Sequence, residues 1–208
     1  DNPPFGAVFT YWLRDGLGTK TELRTKAEKK ARKDGSDTPL PSMAELREED
    51  LELEPAVFIV IRDDEDSVVR RVEATRTKGL HRTAWDLRWP SAAPTDLSPA
   101  TDLPPWAEPE RGPMVLPGDF SATLESRTAE GWKTLAEPVS FEVKALELAT
   151  LTPDDQAAVQ SFQHEIRELR RRVLGASKLT DEIKGRLDHL RQALVDAPEA
   201  DPSLMAEL

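Results

Sequence analysis

The sequence predicts an α+β chain: an immunoglobulin-like or fibronectin III-like β-sandwich with a charged helical insertion, followed by a C-terminal antiparallel helical hairpin. Three observations predict it. About seven short stretches rich in β-branched and aromatic residues are joined by turn signals, with no βαβ alternation. Residues 17–54 change to a charged composition with few β-branched residues. From Thr152 onward the apolar residues recur at spacings of 3 and 4. The expected division is 1–146 for the sandwich, with its insertion at 17–54 and a Pro-rich loop at 90–117, and 147–208 for the hairpin.

The first strand is expected over residues 6–14, where Phe9, Tyr11 and Leu13 share one face by the period of two. The insertion follows. Residues 20–33 carry seven bases and two acids, and residues 45–54 carry six acids and one base. Such opposite runs predict two helical segments folded back on each other, basic against acidic. An anion-binding arm is the functional alternative. Strands resume at 56–62, where Val57, Ile59 and Ile61 alternate with Phe58 and Val60. Both faces are apolar, so this strand belongs in the middle of a sheet. Asp63 to Ser67 is a turn; it lacks the Gly and distal Glu of a calcium loop. A returning strand is expected over 68–73.

Residues 80–89 read as another strand, with Thr83, Trp85 and Leu87 on one side. Asp86 and Arg88 fall on the other side and would form an ordinary ion pair. Positions 90–117 then hold eight of the chain's 17 prolines. Proline offers no amide donor, so this is an extended loop, either a strap or a contact surface. Pro117-Gly118 is a turn signal. Strands over 119–127, 132–135 and 139–143 complete the set.

Thr152-Pro153-Asp154-Asp155 opens a helix, with a Thr cap, Pro at the first position and acids in the first turn. Val159, Phe162, Ile166, Leu169 and Val173 form a heptad seam. Gly175 is read as the end of this helix and Thr180-Asp181-Glu182 as the start of a second. Ile183, Leu187, Leu190 and Leu194 continue the stripe, and Pro198 stops it. Asp201-Pro202 reads as one more helix start, as in a fragment of a longer bundle.

Composition excludes several function classes. The 208 residues are 38% hydrophobic and 32% charged, with a net charge of −11, which disfavours nucleic acid as a partner. There is no cysteine, hence no disulfide, thiolate zinc site or cysteine nucleophile. Three histidines leave little material for metal or triad chemistry. No apolar run approaches the ~20 residues of a membrane helix, so no membrane insertion is expected. Nucleophile-elbow, P-loop, zincin and dinucleotide motifs are absent. No cofactor, metal or catalytic residue is expected. With 39 acids, a pair of carboxylates is found by chance.

Three stretches carry a resemblance. They are Asn2-Pro3-Pro4-Phe5-Gly6-Ala7-Val8-Phe9-Thr10-Tyr11, Lys78-Gly79-Leu80-His81-Arg82-Thr83-Ala84-Trp85-Asp86-Leu87-Arg88, and Leu116-Pro117-Gly118-Asp119-Phe120. Together they resemble the C-terminal region of bacterial proteins with BNR or sortilin-like β-propellers, often labelled glycosyl hydrolase-like. The strand containing Trp85-Asp86 is also similar to the Ig-like domain of flagellar hook-capping proteins. The resemblance implies an exported chain whose propeller lies outside these residues. It implies no catalytic residue here.

The function expected is therefore a non-catalytic structural or interaction module. It would dock on a propeller of its own chain or bind another copy of itself. The candidate interaction residues are Phe162, Ile166, Leu169, Ile183, Leu187, Leu190 and Leu194. The alternative is a carbohydrate-binding accessory module, with Trp89 and Trp106 as candidate sugar-stacking residues.

Overall fold

The computed structural model describes residues 5–38, 40–95, 104, 106–107, 110–146, 151–197, 199, 201 and 203–204. Asn2 to Pro4 of the first resembling stretch, Pro198, Pro202 and three of the eight loop prolines from 90 onward (Pro99, Pro105 and Pro109) lie outside the described residues. The elements run β1 (Ala7–Leu13), α1 (Lys20–Lys33), α2 (Met43–Asp50), β2 (Ala56–Arg62), β3 (Val68–Ala74), β4 (Gly79–Trp85), β5 (Gly118–Thr128), β6 (Gly131–Thr134), β7 (Val139–Val143) and α3 (Pro153–Asp196).

The chain is α+β, and its described residues form seven strands in two antiparallel sheets and a long C-terminal helix. β1 pairs with β4, Ala7 opposite Trp85 and Leu13 opposite Gly79. The larger sheet runs β3-β2-β5. β5 is eleven residues long, and its free edge takes β7 against Gly118–Ala122 and β6 against Glu125–Thr128. β2 is the middle strand, as its two apolar faces require. Val57, Val60 and Ile61 are fully buried.

One core joins the two sheets. Ile59, Ile61, Val69, Trp85, Val115, Phe120 and Ala122 form its buried centre, with Phe9, Tyr11, Val72, Leu124 and Phe141 packed around it. Trp85 meets Phe120 and Phe141 edge-on, at centroid distances of 5.5 and 6.2 Å. Its indole Nε1 donates to Arg88 O at 3.0 Å, which satisfies the one polar atom of the ring. That bond explains why β4 stops at Trp85 and does not run to residue 89. Leu87 takes a left-handed φ of 57° and turns the chain back to meet the Trp85 ring. The alternation expected for Asp86 and Arg88 ends there.

The chain forms two compact units, Asp1–Trp89 with Met114–Thr150, and Pro90–Pro113 with Leu151–Leu208. The Pro-rich segment thus groups with α3. Lys178 Nζ donates to Thr95 O at 2.9 Å, and Arg170 pairs with Glu110 at 3.2 Å.

The hairpin expectation is corrected. α3 is one helix of 44 residues, ~66 Å long at 1.5 Å per residue. Its start is as expected: Thr152 Oγ1 accepts from Asp155 N at 3.2 Å, with Pro153 behind the cap. Gly175 does not stop it. Glycine in a helix interior costs only ~1 kcal/mol relative to alanine. Gly175 has no positive φ, so it forms no left-handed cap. Thr180 does not cap a second helix either. Its hydroxyl donates back to Ala176 O at 2.9 Å, the way a threonine inside a helix disposes of its proton. Ala197, which precedes Pro198, leaves the helix with ψ of 102°.

Gly175→Ala discriminates the two topologies. In a continuous helix it stabilises α3 by about 1 kcal/mol and raises helicity in circular dichroism. In a hairpin turn it would destabilise the chain.

Candidate functional site

α3 carries an apolar seam along its whole length. Counting from Val159 as heptad position a, the seam runs Val159, Phe162, Ile166, Leu169, Val173, Ala176, Thr180, Ile183, Leu187, Leu190, Leu194. The 3-4 alternation never slips. Ala176 and Thr180 were missed by sequence reasoning, because neither is large and apolar. The phase alone finds them: they fill the two places between Val173 and Ile183. Gly175 and Gly185 fall at positions c and f, away from the seam.

The seam is open. No residue of α3 is buried. Phe162 is 63% exposed, Ile183 48% and Leu190 52%. Ile166 and Leu169 are exposed too, and Leu187 and Leu194 are half-buried. All seven candidate interaction residues therefore lie on one stripe of one helix. Soluble proteins rarely leave so long an apolar surface uncovered unless it binds something. Along one flank of the seam, the loop residues Ala92 and Glu110–Pro113 line a groove of about 240 Å³ with Phe162, Gln163, Ile166, Arg167 and Arg170.

The insertion holds a second cluster of functional-looking residues, and its charges are spent internally. Arg24 donates Nε and Nη2 to the two carboxylate oxygens of Glu49, at 2.7 and 2.8 Å, and Nη1 to Glu28 at 2.7 Å. Lys20 pairs with Glu48 at 3.0 Å. Basic α1 thus faces acidic α2, as the charge runs predict. Neither helix buries a residue, and ion pairs join them. Both helices begin with a capping box, Thr19 with Glu22 and Ser42 with Glu45. Arg76 ties the arm at both ends. Its guanidinium donates to Leu17 O at 2.6 Å, to Glu22 at 3.0 Å and to Glu54 at 2.7 Å.

These bonds set the acidities. Hydrogen bonds from Arg24 hold the Glu49 carboxyl below the ordinary carboxylate value. The Arg76 guanidinium, then the Thr19 amide, do the same for Glu22. The Ser42 amide lowers Glu45.

The aromatic candidates part company. Trp89 is half-buried and packs against the core. Trp106 is 85% exposed. Trp12 and Trp132 are also exposed, on different sheets. Trp132 sits tilted by 39° on Phe58, with Arg71 5.6 Å from its centroid and Arg127 5.5 Å from that of Phe58. That ladder of two arginines and two rings covers the outer face of the larger sheet.

Among the described residues no group of three or more His, Asp or Glu is placed to hold a metal ion. No described helix is long and apolar enough to cross a membrane. A scan against protein-family models, a search of curated proteins and a search of solved structures each return no match.

The lowered carboxyl groups give the arm a pH dependence. A carboxylate whose affinity for protons falls on folding stabilises the folded arm at pH above its unfolded value. That contribution disappears as pH drops through the lower, folded value. Protection factors for amide hydrogen exchange in Lys20–Lys33 and Met43–Asp50 should therefore be higher at neutral pH and fall below the ordinary carboxylate range. Glu49→Gln should show fast exchange in both helices already at neutral pH.

Proposed function

We propose that this chain is a non-catalytic interaction module that assembles through the apolar seam of α3. The observation that carries the reading is the seam itself: eleven positions in unbroken heptad phase, nine exposed and two half-buried, along a helix that buries none of its own residues. A helix gains most of its stability in water from an apolar face packed on something else. The seven seam residues named from the sequence are the ones that would make that contact. The sheets serve as an anchor, in the immunoglobulin-like or fibronectin III-like sandwich that the strand pattern suggests. The resemblance to the C-terminal region of exported sortilin-like propeller proteins supports the same reading, with the propeller of such a protein, or a second copy of the chain, as the surface bound.

A second reading, a carbohydrate-binding accessory module, draws support from the exposed ring of Trp106. It is the weaker of the two, because Trp89, its companion candidate, is half-buried against the core.

Light scattering after size exclusion, over a concentration series, tests assembly through the seam. The expected mass exceeds the 23.2 kDa of one chain and rises with concentration. Leu187→Asp with Leu190→Asp should return it to one chain, since a charge buried in an apolar interface costs several kcal/mol. An assembly that survives both substitutions would place the contact elsewhere.

A further inference from the structure

The occupant of the seam can be named. We propose that it is the α3 of a second copy, in a parallel, in-register, two-stranded coiled coil. This rests on the reading of α3 as an interaction surface and adds the partner, the orientation and the stoichiometry.

The seam's composition argues for two parallel strands. Positions a are Val159, Ile166, Val173, Thr180, Leu187 and Leu194; positions d are Phe162, Leu169, Ala176, Ile183 and Leu190. The first four a positions are all β-branched, and Leu169 stands at d between Ile166 and Val173, while Leu190 at d lies between Leu187 and Leu194. β-branched residues at a with leucine at d favour parallel dimers. Leu187 at a beside Ile183 at d is the one layer with the reverse preference.

Thr180 would be costly in such a seam if its hydroxyl were free. It is not: the hydroxyl donates to Ala176 O within the same helix at 2.9 Å. The methyl group is then what the partner meets. Ala176, one seam position earlier, is small. In register, these two residues form a narrow waist midway along the seam where the helices approach most closely.

The area suffices. Nine large apolar side chains per helix lie on the seam, each removing roughly 60–120 Å² from water on burial. Two helices then bury on the order of 1,000–2,000 Å², the size of a stable specific interface. The loop segment 110–113 does not stand in the way. It shares a groove with the seam residues Phe162 and Ile166 as well as with Gln163, Arg167 and Arg170 at positions e and b, and it leaves Phe162 63% and Ile166 46% exposed.

One charge pair opposes the dimer and one favours it. In register, Arg186 at g faces the second copy's Arg191 at e and repels it, while Glu165 at g faces the second copy's Arg170 at e and attracts it, so the two flanking pairs offset each other.

The chain has no cysteine, so a single engineered thiol reports orientation cleanly. The experiment uses the whole chain carrying Leu190→Cys, oxidised under air and run without reductant. It is compared with the mass by light scattering, and with a mixture of Val159→Cys and Leu190→Cys chains. The expected result is a species of twice the 23.2 kDa chain mass and rapid disulfide formation by Leu190→Cys alone. A dimer dissolved by Leu187→Asp with Leu190→Asp, but cross-linked only in the mixture, would be antiparallel. That overturns the proposal and leaves the interaction reading standing. A trimer or tetramer dissolved by the same substitutions does likewise. A single chain at every concentration overturns the second copy as occupant. An assembly indifferent to the Asp substitutions overturns the interaction reading as well.

Discussion

A helix of 44 residues that buries none of them cannot draw its stability from its own core. Every other feature of α3 follows from that constraint. Capping by Thr152 and Pro153 fixes where it starts, and this contributes about 1 kcal/mol. Two glycines weaken it by a similar amount each. What remains is the seam, whose phase is kept from Val159 to Leu194. A chain with no use for a continuous stripe would have no reason to hold that phase through Gly175.

The sheets solve the same problem internally. β2 lies between β3 and β5, and its side chains fill both faces. Trp85 closes the core from the smaller sheet and fixes its ring by a bond to the chain three residues on. The insertion uses a third device. Its helices bury no residue, and ionic bonds bridge them through Arg24 and Glu49. Arg76, between β3 and β4, clamps the arm where it leaves and where it returns. Exposed ion pairs are individually weak. A bidentate pair joined to a network of caps holds better, and it remains open to acid.

Much of this was legible in the sequence. Strand limits fall within a residue or two, apart from β4. Val57 to Ile61 announced a central strand through apolar residues on both faces. The opposite charge runs announced the pairing of α1 with α2. The errors have physical causes. The early end of β4 depends on a left-handed Leu87, a conformation that no propensity assigns to leucine. The affinity of the Pro-rich segment for α3 depends on single bonds such as Lys178 to Thr95. Gly175 reads as punctuation because glycine often ends helices. The competing signal lay in the seam: residues 173, 176, 180 and 183 keep the 3-4 spacing across it. Small and polar seam residues hid that continuity.

The central claim is that α3 is a single rod bearing one seam. The most direct measurement is the distance between spin labels at Ala157 and Gln192, both at position f and clear of the seam. Labelled chain is diluted with unlabelled chain, so that only distances within one molecule are read. A continuous helix places the two sites about 52 Å apart, at 1.5 Å for each of the 35 intervening steps. A hairpin folded at Gly175 would bring them close together. A distribution centred near the long distance is the predicted result; a short one would contradict the account.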